Sequence, residues 1–158
     1  MKLIVGSDKS GFQLKEAVKA HLIAVGHDVT DLGTTDPENV SPYFEVGGTV
    51  ARAMQRGEAE KAFLFCGTGM GVSVVANRHK GITAAVCESE TSARLCRIIN
   101  NANILCMGGW LISEWMGNNM ADTFLATEFT QDMPERAEFL CMAFNRLKAM
   151  DEDGTFNN

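Results

Sequence analysis

A single α/β domain built on a doubly wound five-stranded parallel sheet, with a C-terminal helix, is the fold class that three features of this sequence predict. Short apolar runs alternate along the chain with segments whose apolar residues recur every three or four positions, which is the pattern of strands alternating with amphipathic helices. Glycine, proline, serine and aspartate fall between these segments as turn chemistry. The 158 residues contain no internal repeat and no long linker, so one domain over residues 1–150 is expected, followed by a polar tail over residues 151–158.

Taken in order, Lys2 to Gly6 reads as the first strand, Ser7-Asp8-Lys9-Ser10-Gly11 as the turn after it, and Leu14, Val18, Leu22 and Val25 as one face of a helix stopped by Gly26. His27 to Leu32 is the second strand, ending in the loop Gly33 to Pro37; Val46, Val50 and Met54 mark the second helix, which closes near Gly57. The third strand starts at Ala62 and runs into the turn Cys66 to Gly71, after which Val72, Val75 and Ala76 resume helical spacing. Ile82 to Val86 is a fourth strand, Ser89 to Asn101 a helix, and Ile104 to Met107 a fifth strand leading into Gly108-Gly109. Helices over about Glu114 to Ala126 and Glu135 to Asp151 complete the chain. The end, from Glu152 to Asn158, is polar and expected to fray.

Composition narrows the function. The chain is 46% hydrophobic and 22% charged, with a formal charge of -6, which argues against a general nucleic-acid or membrane surface and favours a small-molecule partner. Five cysteines, an odd number without C-x-x-C or Cys/His ligand spacing, suggest neither a disulfide framework nor a metal site, and reduced thiols in the cytoplasm fit better. Leu3 to Val5 are too few apolar residues for a secretory signal before Gly6.

In open parallel sheets ligands bind beyond the carboxyl ends of the strands. That rule gathers Ser7, Asp8 and Lys9, Gly33 and Thr34, Cys66 to Gly71, Glu88 and Gly108: carboxylates, an ammonium, a thiol and a bed of amides. A Walker loop fits poorly, because Gly71 is followed by Val72 and Ser73 rather than Lys and Ser or Thr. The dinucleotide fingerprint is nearer, but Gly67, Gly69 and Gly71 run G-x-G-x-G, one residue short. Tight strand-to-helix packing alone also explains such glycines, and buried cysteines are mostly inert.

The chemistry open to this set is proton transfer beside a carbonyl. The N-terminus of a helix favours a thiolate, so Cys66 can act as a base. The amides of Gly67 to Gly71 can hold an oxyanion, Thr68 can shuttle a proton between neighbouring oxygens, Asp8 can fix substrate hydroxyls and Lys9 can pair with an anion. A cysteine hydrolase is less coherent, since His21, His27 and His79 are not placed as a base. Trp110, Trp115, Met116 and Met120 read as core or subunit contact, with Trp110 a candidate border of the site.

The segments GSDKSGFQLKEAV, GHDVTDLGT, FLFCGTGMGVSVVANRHKGITAAVC, SARLCRIINNANILCMGG and ADTFLATEF resemble, in order and spacing, the ribose-5-phosphate isomerase type B and galactose-6-phosphate isomerase family over roughly residues 1 to 129. The resemblance implies a flavodoxin-like or Rossmann-like domain, no metal or other cofactor, a homodimer or homotetramer with sites shared between subunits, and aldose-ketose interconversion through a cis-enediolate. Carried over residue by residue, it implies Cys66 as the base, Thr68 as its helper at the substrate oxygens, Gly67, Gly69, Met70 and Gly71 as the enediolate cradle, and Asp8 and Asn100 as holders of substrate hydroxyls. Three positions depart from the family pattern: Lys9 stands where a histidine is usual, Ile99 replaces the ring-opening histidine, and Thr130 to Glu138 lacks the G-G-R-H-x-x-R phosphate clamp. Arg136, Arg94, Arg97 and Lys9 remain as candidates for an anionic group, with Arg94 and Arg97 equally read as a solvated helix face. A tetrulose phosphate, which cannot close the usual ring, an open-chain uronate, or a ring-forming sugar phosphate assisted from elsewhere are the substrates left open. A catalytically incomplete partner subunit is the competing reading.

Overall fold

The computed structural model describes residues 1–153. Its elements are β1 (Lys2–Ser7), α1 (Phe12–Ala24), β2 (Asp28–Asp31), α2 (Tyr43–Gln55), β3 (Lys61–Cys66), α3 (Met70–Ala76), β4 (Ala84–Val86), α4 (Glu90–Asn100), β5 (Ile104–Gly108), α5 (Glu114–Ala126) and α6 (Ala137–Asp153). The five strands form one sheet in the order β2-β1-β3-β5-β4, every neighbouring pair parallel. The predicted fold class is the observed one.

Side-chain alternation along the strands explains the two layers of helix. Leu3, Val5, Phe63, Phe65, Leu105 and Met107 face one side, where α1, α4 and α5 cover them. Ile4, Ala62, Leu64, Cys66, Ile104 and Cys106 face the other, under α2 and α3. Both faces are thus buried, as a parallel sheet requires, and the strands read as continuous apolar runs for that reason. Phe63 meets Phe124 of α5 edge to face, ring centroids 5.7 Å apart.

Several boundaries differ from the sequence reading. β4 keeps only three residues, because Ile82 is bent into a turn by its amide's bond to the His79 carbonyl. α6 starts at Ala137 rather than Glu135; Thr130 and Asp132 take positive φ in the preceding loop, and the Arg136 and Ala137 amides close turns onto Met133 and Pro134. α6 also runs on through Asp151 and Glu152 to Asp153, so these are helix and not tail. The rest of the expected frayed tail, residues 154–158, lies outside the described residues.

Strand order decides which loops are neighbours. β1, β3 and β5 lie side by side, while β4 is on the edge beyond β5. The chain leaves β1 for β2 on one side and returns to β3 on the other, so order reverses between β1 and β3, where ligands collect in such sheets.

Candidate active site

β3 ends at Cys66, which pairs in register with Gly108, and the chain turns at once into α3. The Cys66 side chain is 5% exposed and faces the α2 and α3 layer. Its sulfur accepts a hydrogen bond from the Gly69 amide at 3.1 Å. Gly69 takes φ 77°, the left-handed conformation that only glycine adopts at little cost, and this aims its N–H back at the thiol. Met70 donates its amide to Thr68 Oγ1 at 3.3 Å, which leaves the Thr68 hydroxyl proton free to point outward. Among the described residues the amides of Gly67, Thr68 and Gly71 have no protein acceptor. α3 is only two turns long, so these individual donors matter more than any summed dipole.

The turn after β1 packs directly on this one. A Cβ at Gly11 would stand 2.5 Å from the Phe65 carbonyl carbon and 2.7 Å from the Cys66 nitrogen. The Asp8 amide donates to the Phe65 carbonyl at 3.3 Å, and Asp8 Oδ1 accepts from the Gly11 amide at 3.0 Å. Asp8 is half-buried, with its second carboxylate oxygen unbonded among the described residues, and Lys9 beside it is exposed. Two aromatic rings press on the turn itself. A Cβ at Gly67 would lie 2.8 Å from Cε3 and Cζ3 of Trp110, and one at Gly71 would lie 2.8 Å from Cδ2 of Tyr43. Trp110 therefore borders the site, although it stands more than forty positions further along the chain. Nothing in its local sequence, beyond its place after a strand-end Gly-Gly pair, points to this contact; Tyr43, the first residue of α2, is likewise visible only in the fold.

A single chain does not gather every predicted residue. Asn100 ends α4, beside the start of β5, whereas Cys66 pairs with the far end of β5. The length of that five-residue strand, about 13 Å at 3.3 Å per residue, lies between them. Arg136 is exposed at the foot of α6, in the segment whose Thr130 amide bonds to the Ile98 carbonyl of α4, and so belongs to the same remote end. Glu88 follows the edge strand β4 and is separated from β3 by β5.

Two of the arginines are engaged elsewhere. Arg97 is 4% exposed and donates to the carbonyls of Thr127 and Ala102 and to Asn101 Oδ1 while stacked over Phe124. It clamps α4 to the end of α5, neither an anion site nor a solvated face. Arg94 pairs with Asp132 at 2.5 Å. His21 bonds to Asp122 of α5 and His79 to the Val75 carbonyl, so neither is turned toward Cys66.

Sequence reasoning missed one charged network altogether. Lys15, fully buried on the core face of α1, donates to Asp31 Oδ2 at 2.5 Å and to the Thr34 carbonyl at 2.6 Å, and also pairs with Glu16 at 2.7 Å. Burial raises the Asp31 carboxyl, but hydrogen bonds from Lys15, Lys19 and the Gly33 amide outweigh it and hold the group below its ordinary value. The network ties the loop after β2 to α1 and steadies the edge of the site. Behind Cys66, burial pushes the fully enclosed Cys106 thiol well above its ordinary value, with the neighbouring Cys66 and Cys87 adding to this, so Cys106 stays a protonated core residue.

A cavity of about 650 Å³ is elsewhere: it lies between the end of α3, the segment entering β4 and the last turns of α6, with Arg78, His79 and Asp151 on its wall. The thiol with its Gly69 donor, the free amides and Asp8 lie together at the glycine turn instead, and the cavity wall holds no comparable set. Within one chain the turn forms a shelf, with Met70 exposed, Thr68 and Gly71 half-buried, and Cys66, Gly67 and Gly69 buried. Among the described residues no group of three or more His, Cys, Asp and Glu side chains is placed to hold a metal ion, and no helix is long and apolar enough to cross a membrane.

Comparison with known proteins shows the family and the fold. The family model for ribose/galactose isomerases matches residues 3–138. A 4-deoxy-4-sulfo-D-erythrose isomerase of Clostridium sp. (strain MSTE9) is 52% identical over 153 residues, covering 96% of each chain. Ribose-5-phosphate isomerase B of Escherichia coli (strain K12) is 36% identical over 128 residues, covering 81% of this chain and 85% of its own. Among solved structures, the ribose-5-phosphate isomerase B of Clostridium thermocellum superposes with a TM-score of 0.87 at 33% identity, covering 97% of this chain and 99% of that one.

Proposed function

The chain belongs to the ribose/galactose isomerase family of aldose-ketose isomerases, and from that premise we propose that it interconverts the aldose and ketose forms of an open-chain four-carbon sugar bearing an acidic group at C4. The observation that carries the chemistry is the Gly69 amide held 3.1 Å from the Cys66 sulfur, on a turn where the amides of Gly67, Thr68 and Gly71 have no protein acceptor among the described residues. In the proposed cycle the Cys66 thiolate takes the proton from C2 of the aldose, the C1 carbonyl becomes an enediolate oxygen lying on the free amides, and the thiol returns the proton to C1 as the C2 carbonyl forms. Thr68 moves the hydroxyl proton from O2 to O1. Asp8 accepts a hydrogen bond from a substrate hydroxyl through its unbonded oxygen, and Lys9 is within the same turn to meet the acid.

Ile99 supports the choice of substrate. A four-carbon sugar whose C4 carries phosphate or sulfonate has no free oxygen there to close a five-membered ring, so it presents its carbonyl without an acid to open one. The 52% identical relative is named for such a sugar, a C4 sulfonate, and another, 34% identical over 131 residues, for erythrulose 4-phosphate. The position of Asn100 and Arg136 supports a homodimer with shared sites, in which the remote end of one copy meets the shelf of the other. Phe139 and Met142, exposed on α6 by 62% and 59%, offer apolar surface for such a contact.

The test is an isomerisation assay over four-carbon sulfonates and phosphates, ribose 5-phosphate and open-chain uronates, with wild type and Cys66→Ala. Turnover of the four-carbon acids that falls by about a thousandfold or more on losing the base is expected. Turnover that survives the substitution removes Cys66 from the mechanism, and silence on the whole panel removes the assignment.

A further inference from the structure

Asn100 and Arg136 stand at the remote end of the chain, and a role for that end rests on the proposed dimer with shared sites. One buried cation joins the two segments that carry them. Arg97, in the last turn of α4, donates from Nη1 to the Ala102 carbonyl at 2.6 Å and to Asn101 Oδ1 at 2.8 Å, and from Nε to the Thr127 carbonyl at 3.2 Å. The first two bonds hold the end of α4. The third holds the start of segment 127–136, which leads to Arg136. A second bond closes the same joint, from the Thr130 amide to the Ile98 carbonyl at 3.0 Å. Backbone bonds then run from Met133 to Thr130 and from Arg136 to Met133, so the Arg136 backbone is tied to α4 through this joint.

The hold on Asn100 is more direct. Asn101 takes φ 49°, a left-handed conformation that ends α4 at Asn100. Asparagine tolerates that conformation, and the bond from Arg97 to its side chain fixes it there. Arg97 and Ile98 are buried, whereas Ile99 and Asn100 are exposed. The buried pair anchors the helix end and the exposed pair presents it. A guanidinium suits this place because it donates in several directions from one rigid plane, which an ammonium cannot do, and because positive charge is favoured at a helix C-terminus. None of these bonds reaches the glycine turn of the same chain, since Cys66 pairs with the far end of β5. We infer that Arg97 is a positioning residue that acts across the subunit contact: by joining the end of α4 to segment 127–136 it fixes Asn100 and Arg136 as one unit, which serves the glycine turn of a second copy and not that of its own chain.

Mixing of chains tests this. Arg97→Lys keeps the charge and most of the stem but loses the fork, and as a homodimer it should lose about tenfold or more in kcat/KM, mostly through KM, because the groups it positions bind substrate. Refolded together with an equal amount of Cys66→Ala and assayed below KM, it should recover about a quarter of wild-type activity, since each mixed dimer holds one site with an intact thiol and an intact remote end. Cys66→Ala with Asn100→Ala is the control for sharing itself. Recovery in the control but not in the Arg97 pair puts the defect in its own chain's site and overturns the inference, while shared sites stand. No recovery in either pair overturns both. Asn101→Gly removes one acceptor and keeps the left-handed turn without strain, so it replaces Arg97→Lys if that variant fails to fold or to dimerise; it should show a smaller loss, rescued by the same mixing. Folded, dimeric variants that keep kcat/KM within twofold of wild type overturn the inference. Amide hydrogen exchange reads the joint without turnover: Arg97→Lys should speed exchange at Thr130 and Arg136 by about tenfold. Such a change in a protein silent on every sugar supports the joint and defeats only the isomerase reading, and unchanged exchange at both amides overturns the inference whatever the activity.

Discussion

Replacing Gly69 with alanine attacks the geometry on which the proposed chemistry depends, and its effect can be worked from the backbone. At φ 77° an L-residue pays for a conformation its Cβ disfavours, about 1–2 kcal/mol. The new Cβ would also stand 3.0 Å from the Met107 carbonyl carbon, 3.2 Å from its nitrogen and 3.3 Å from the Cys106 carbonyl carbon. Those atoms belong to β5, hydrogen-bonded between β3 and β4, so the turn must give way rather than the sheet, at a further cost of about 1–3 kcal/mol. The sum, about 2–5 kcal/mol, should appear as a lower urea midpoint with an unchanged slope. A shift of the turn also draws the Gly69 amide away from the Cys66 sulfur, 3.1 Å distant in the native turn. Loss of one such donor lowers kcat by about a hundredfold or more, read on protein that is still folded. A variant destabilised by less than about 1 kcal/mol, or one with kcat within threefold of wild type, would refute the reasoning about this turn.

Three further outcomes are expected. If sites are shared across a two-fold axis, mixing inactive Cys66→Ala and Asn100→Ala chains after gentle unfolding should restore about a quarter of wild-type activity, because half the dimers are mixed and each has one complete site; no recovery on mixing would leave Asn100 outside the site. Asp31→Ala should lower stability by about 3 kcal/mol in a chemical melt by leaving the buried Lys15 with fewer partners. Because the folded Asp31 carboxyl sits below its ordinary value of 3.8, its stabilisation is complete above that value and is lost as pH falls through the folded one; acid titration of unfolding should show this loss in wild type and a flatter limb in the variant. Under native conditions an alkylating reagent followed by mass spectrometry should modify the exposed Cys141 first and leave Cys106 intact, since Cys106 is enclosed and its thiol is held protonated.

The relation between sequence and structure is clearest at particular residues. Cys66 to Gly71 was legible because everything that makes it a turn is local: an apolar strand, glycines and the first helical turn lie within about ten residues. Asp8 and Lys9 were legible for the same reason, given the rule that strand ends collect ligands. Arg97 and Lys15 were not. Helical spacing gives each a face but not what that face meets, and both turned out to be buried clamps, Arg97 on Thr127, Asn101 and Ala102 and Lys15 on Asp31 and Thr34.

By itself the sequence determined the alternation of strands and helices, the parallel sheet and the thiol-bearing turn, which rest on periodicity and on contacts between near neighbours in the chain, and its motif segments carried the family resemblance. Only the tertiary structure decided that β5 inserts between β3 and β4, which removes Glu88 from the turn, and that Trp110 and Tyr43 close on Gly67 and Gly71. It likewise decided that Asn100 and Arg136 lie at the far end of their own chain. The physical reason is that strand order and side-chain burial are set by pairings between residues tens of positions apart, whose free energy depends on the whole packed sheet and leaves no mark on local spacing.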